Sequence, residues 1–262
     1  MPTIKLFLAA ALLALSWLAS AQIVQKVVDI PTRRGITQRM LLITPPEPKA
    51  AVVLLAGGHG GLQLASDGSM KWGNGNFLVR SRQLFAEQGL IVAVVDAPSD
   101  KQSSPFLSGS RQSIEHTQDM KAVIAWLRDS AKVPVWLIGT SRGTQSAAYV
   151  ATELAGKESA DGIVLTSSIL ADIRSRAVPE MALDKIRIPV LVVHHEQDGC
   201  SSCLYSDLPP LMAKLKTTPR HDLISFKGGQ ATGDPCEAFG YHGFNGIEAD
   251  VVSQIAAWMG KK

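Results

Sequence analysis

Little in this sequence would hold a polyanion. Lys and Arg total 26 against 23 Asp and Glu, a formal net charge of +3. No basic cluster concentrates that charge, so nucleic-acid binding is set aside. Long apolar runs are scarce too. The run LFLAAALLALSWL at 6–18 falls short of the ~20 residues a membrane span needs. Lys5 before it and Ala-Ser-Ala at 19–21 after it complete the three parts of a secretory signal peptide. Cleavage is expected after Ala21, leaving a mature chain from Gln22 that works in the periplasm or outside the cell, with no membrane anchor. Cysteine is sparse, with only Cys200, Cys203 and Cys236. Zinc would want a second pair or histidines at ligand spacing beside C-x-x-C, and only Cys236 remains, so no metal is expected. In an oxidising compartment the reading is a structural disulfide to Cys236 from Cys200 or Cys203. Internal repeats, low-complexity tracts and linkers are also missing. Residues 22–262 therefore read as one domain, large enough to bury about three quarters of its unfolded surface.

What is present is alternation. Nearly continuous apolar runs at 50–58, 90–97, 133–140, 162–168 and 188–195 suit strands buried on both faces of a parallel sheet. Helical patterns lie between them at 77–88, 111–130 and 142–156. In the second of these, Ile114, Met120, Ile124 and Leu127 form the apolar face, with Arg111, Glu115, Asp119 and Arg128 opposite. Residues 23–32 and 35–44 alternate polar with apolar around Arg34-Gly35 and predict an antiparallel edge hairpin. A last strand at 222–228 and a closing helix at 247–260 complete the set. The fold class is α/β: a doubly wound, mostly parallel eight-stranded sheet flanked by helices. The interval 169–187 is too short for a cap domain, so an open cleft is expected.

The stretch LIGTSRGTQSAA at 137–148 places Ser141 between Gly139 and Gly143. A serine on a sharp strand-to-helix turn exposes its hydroxyl, and small residues two before and two after relieve the crowding. The plainer role, a serine capping a helix N-terminus, would require neither an acid nor a histidine beyond later strands. Asp198 comes just past the seventh strand, where catalytic groups gather in open α/β sheets. The rival Asp96 ends the fourth strand but precedes the serine. His242 falls between the last strand and the closing helix. His194 and His195 end the seventh strand and are expected to be buried or to line the pocket. Each of the three then has a role: Ser141 attacks, His242 shuttles the proton, Asp198 orients the imidazole. Oxyanion donors are expected from the N–H of Arg142 and from the loop AGGHGGL at 56–62, through Gly58 or His59.

With GTSRG at 139–143, EQD at 196–198, YHG at 241–243 and GGHGG at 57–61, the chain resembles the α/β-hydrolases over essentially its mature length. The resemblance implies a serine hydrolase that needs no cofactor. Many members carry His-Gly where Ala56-Gly57 stands here, and the segment before His242 is longer than usual. Lack of a cap resembles the dienelactone-hydrolase-like enzymes, which use a cysteine nucleophile instead. Against that framework a Cys200–Cys236 bridge, with Cys203 free, would tie the acid loop to the histidine loop. The reading is a carboxylester hydrolase acting on a small-molecule ester through an acyl-enzyme. A peptidase or amidase with the same triad would show itself on a panel of peptide amides. A binding protein on a hydrolase scaffold would resist a serine-directed phosphonate.

Overall fold

The computed structural model describes residues 22–261; the expected signal peptide at 1–21 lies outside the described residues. The ten-residue β1 (Val24–Arg33) pairs antiparallel with β2 (Ile36–Thr44) through a turn at Gly35, whose φ is +72°. Then come β3 (Ala50–Leu55), β4 (Leu90–Val95), β5 (Val135–Thr140), β6 (Gly162–Thr166), β7 (Val190–His195) and β8 (His221–Phe226). They form one eight-stranded sheet in the order β1-β2-β4-β3-β5-β6-β7-β8. Only the β1–β2 and β2–β4 pairings are antiparallel.

The continuous apolar runs have a simple cause, since both faces of the sheet are covered. On one face Val53, Leu137, Leu165 and Val192 meet α3 (Ile114–Ala131), α4 (Arg142–Glu153) and α5 (Leu208–Lys214). On the other, Val52, Leu54, Ile138 and Val193 meet α1 (Phe77–Arg80), α2 (Arg82–Glu87) and α6 (Glu248–Met259). Neighbouring residues along one strand thus serve opposite layers, which is the period-two geometry of a strand.

Several details differ from the sequence reading. The helix expected at 77–88 breaks at Ser81 into α1 and α2. The helix expected from 111 starts at Ile114, because Ser113 caps it by accepting the His116 N–H. Ile114, expected in the core, is 67% exposed; it lies six residues from Met120, about 240° around the helix and off the buried stripe. Arg111 and Asp119, expected on the polar face, are buried. Asp119 is covered by β1, where Arg33 grips it through Nε at 2.8 Å and Nη2 at 3.0 Å. Finally, α5 had no counterpart in the sequence reading. Its Pro209-Pro210 pair reads as a breaker, yet proline is tolerated in a first helical turn, where the missing N–H has no partner to lose.

Candidate active site

At the end of β5 the chain reverses into α4 through Ser141, whose φ of 52° and ψ of −124° are rare for a residue with a side chain. Holding such a residue costs about 1–3 kcal/mol, which the surroundings must offset. The Ser141 N–H donates to the Thr166 carbonyl of β6 at 3.0 Å, and the Ser141 carbonyl accepts from the Thr144 N–H at 2.9 Å. The flanking glycines are required by space: a Cβ on Gly139 would collide with the Gly143 carbonyl, and one on Gly143 with the Leu55 carbonyl. The Ser141 side chain makes no capping bond to α4. Its hydroxyl instead borders a cavity of about 500 Å³ shared with Gly57, Gly58, Trp72, Phe239 and His242.

His242 sits in a short 3-10 turn (Tyr241–Gly243) between β8 and α6. Its Nδ1 lies 2.8 Å from Oδ2 of the buried Asp198. A carboxylate only accepts, so Nδ1 carries the hydrogen and Nε2 presents its lone pair. Nε2 has no hydrogen-bond partner among the described residues. The other carboxylate oxygen accepts the Cys200 N–H at 3.0 Å. Ser167, at φ 45°, donates its hydroxyl to the His242 carbonyl at 2.7 Å and so fixes the histidine's backbone. Cys200 is bonded to Cys236, joining the loop of the acid to the loop of the imidazole, and Cys203 is a buried free thiol. Burial pushes that thiol up, out of the range of an easily formed thiolate. The sulfur and nitrogen atoms of Cys200, Cys203 and His242 lie within 4.8 Å of one another. With one sulfur in a disulfide and one ring nitrogen held by Asp198, that set fits no zinc site.

The remaining histidines and acids sort by their partners. His194 and His195 are buried, and neither borders the cavity. His194 donates from Nε2 to the Cys203 carbonyl at 2.7 Å. His195 donates from Nε2 to the Gly228 carbonyl at 2.9 Å and accepts the Gln197 N–H at Nδ1. Asp96 is engaged by four backbone N–H groups, from Leu62, Gln63, Leu64 and Ala97, at 2.6–3.2 Å. That makes it the anchor of the loop after β3.

That loop runs close to the serine. A Cβ on Gly57 would lie 3.0 Å from the Ser141 Cβ, and one on Gly58, at φ +54°, would enter the Trp72 ring. The ring of His59 sits between Trp72 and Phe106, with centroids 3.9 and 4.5 Å away, and its Nδ1 accepts the Gly61 N–H. Burial first, and the nearby Arg111 charge second, lower its pKa. The N–H groups of Gly58, His59 and Arg142 have no acceptor among the described residues. Gly58 and Arg142 border the cavity and His59 does not, so of the two loop residues expected as donors only Gly58 lies on it.

No family model matches the chain, and no curated protein matches it by sequence. Solved structures do match its fold. A dienelactone hydrolase from Anabaena variabilis superposes with a TM-score of 0.62 at 12% identity, covering 91% of this chain and 97% of that one. An esterase from Pyrococcus furiosus gives 0.64 at 14% identity, over 90% and 91%. A serine hydrolase without a lid from Xanthomonas campestris gives 0.57 at 14%, over 92% and 97%. The chain has the α/β-hydrolase fold. Within that α/β-hydrolase frame the structure brings Ser141, His242, Arg142 and Gly58 to one cavity, with Asp198 directly behind the imidazole.

Sequence reasoning missed two residues here. Arg111 is buried against the glycine-rich loop after β3. Asp172 accepts from Arg142 at 2.8 Å and also from Gln145 and Ser175. Burial works against its charge, but those donors outweigh it and hold the carboxyl well below the usual range. Trp72 also lines the cavity. The loop 98–110 does not border it; its Phe106 packs on His59.

Proposed function

We propose that the protein is a serine hydrolase that cleaves carboxylic esters through an acyl-enzyme. The carrying observation is the 2.8 Å contact of His242 Nδ1 with the buried Asp198 carboxylate, beside a cavity that His242 and Ser141 both line. In the neutral ring that contact leaves the lone pair on Nε2, which has no partner among the described residues. Nε2 accepts the hydroxyl proton as Oγ bonds to the ester carbonyl carbon. The carbonyl oxygen becomes an oxyanion between the N–H groups of Arg142 and Gly58, which have no other acceptor to surrender. Asp198 stabilises the imidazolium. Collapse breaks the bond to the alkoxy oxygen, which leaves as alcohol with the proton from Nε2. Water then attacks the acyl carbon with the same proton route, and Ser141 is regenerated.

Gly58, Phe239 and Arg174 on the cavity wall are exposed, so small soluble esters have direct access. The structural neighbours described as esterases support this choice of reaction. The Cys200–Cys236 bond supports an oxidising compartment, in keeping with a signal peptide at 1–21. Wild-type protein is expected to hydrolyse p-nitrophenyl acetate and to be labelled by a fluorophosphonate on Ser141. Ser141→Ala should lose both while keeping its circular dichroism spectrum. A wild type inert to ester and phosphonate alike overturns the proposal.

A further inference from the structure

We infer that Arg111 is the positioning residue of the oxyanion hole, clamping the glycine loop to the helix that begins after the nucleophile. The inference rests on the hydrolase reading above. Arg111 lies in the turn before α3, and its side chain is buried. Nη2 donates to three successive carbonyls, those of Ala56 at 2.9 Å, Gly57 at 3.3 Å and Gly58 at 3.1 Å. Nη1 donates to Ser146 Oγ of α4 at 3.0 Å. One guanidinium therefore touches both halves of the candidate oxyanion hole: the loop that carries Gly58, and the helix whose first N–H belongs to Arg142.

The geometry comes from the peptide unit. In a planar trans peptide the C=O and the next N–H point in opposite directions. Drawing the Gly57 and Gly58 carbonyls toward Arg111 turns the N–H groups of Gly58 and His59 away from it, and both lack an acceptor among the described residues. Glycine alone would leave this loop free to rotate those peptides. Space has been left for the clamp, since a Cβ on Gly60 would stand 2.5 Å from Arg111 Nη2.

The charge matters as well as the bonds. Among the described residues no carboxylate pairs with Arg111. Burial, then the neighbouring Arg142 charge, pull its pKa down to about 9, which still leaves it protonated at neutral pH. A cation bound on the carbonyl side polarises each peptide and strengthens the N–H on the other side. An acid partner would cancel that field; carbonyls do not. A residue in this role affects the transition state more than the ground state, because the oxyanion exists only in the former.

The test compares Arg111→Ala, Arg111→Lys and Ser146→Ala with wild type on p-nitrophenyl acetate, after circular dichroism has confirmed folding. For Arg111→Ala, kcat should fall about 100-fold with KM within about threefold, the size expected when an oxyanion donor is misplaced. Arg111→Lys, which keeps the cation but loses the fork, should retain roughly a tenth of wild-type kcat. Ser146→Ala should lose a few-fold of kcat. Added guanidinium should raise the turnover of Arg111→Ala and leave wild type unchanged. Folded Arg111→Ala and Arg111→Lys proteins with wild-type kcat, or a loss confined to KM, would overturn the inference. If the alanine variant does not fold, a folded lysine variant with wild-type kcat overturns it alone. An inactive wild type instead overturns the hydrolase proposal, so the two failures are distinct.

Discussion

Asp198 and Asp96 are the same residue type at the same kind of place, just past a buried strand, and they have opposite employments. Asp96 spends its carboxylate on four amide N–H groups. Asp198 gives one oxygen to Cys200 and the other to His242. In Asp198→Asn the amide nitrogen can face Nδ1, which then carries the lone pair while Nε2 carries the hydrogen and cannot act as base. We expect kcat on p-nitrophenyl acetate to fall about 10⁴-fold with KM nearly unchanged, as when a triad acid is made an amide. A variant within tenfold of wild type would remove Asp198 from the mechanism. The serine, the acid and the histidine were legible because their chemistry needs particular side chains in a particular order. Arg111 was not, because its main partners are carbonyls of Ala56, Gly57 and Gly58, and every residue type has a carbonyl. For the same reason the sequence could not separate Gly58 from His59 as donor.

Among elements, the loops after β7 and β8 are long and irregular, and the Cys200–Cys236 bond ties them together. A crosslink closing 36 residues removes on the order of 4 kcal/mol of unfolded-chain freedom in the loop-entropy model. Cys236→Ser should therefore lower the thermal midpoint, and kcat should fall because Asp198 and His242 are no longer tied. Scanning calorimetry beside kcat at 25 °C checks both; an unchanged kcat would mean Ser167 and the Asp198–His242 bond suffice. Element boundaries were legible to within two or three residues along the unbroken apolar runs of β3 to β7. They failed where a local hydrogen bond reset the phase, as Ser113 does for α3, or where proline sat in a tolerated first turn, as in α5.

At the scale of the molecule, one cost of covering both faces of the sheet is a set of histidines sealed inside. His116 is buried with neither ring nitrogen bonded among the described residues. Burial, then the charges of Arg111 and Arg33, lower its pKa to about 3. Between that value and about 6.5 the unfolded chain binds a proton that the folded chain refuses. Stability is thus complete above about 6.5 and falls by about 1.4 kcal/mol for each pH unit below it, levelling near pH 3. Urea midpoints at pH 7 and pH 5 should show this decline in wild type and a smaller one in His116→Leu, with His194 and His59 contributing to what remains. Equal declines in both proteins would assign the acid sensitivity elsewhere.

Between β6 and β7 the chain makes only two short 3-10 turns before returning to the sheet. That connection is too short to form a cap domain over the candidate site. On the proposed mechanism, turnover should therefore show no jump when the ester passes its solubility limit and an oil–water boundary forms.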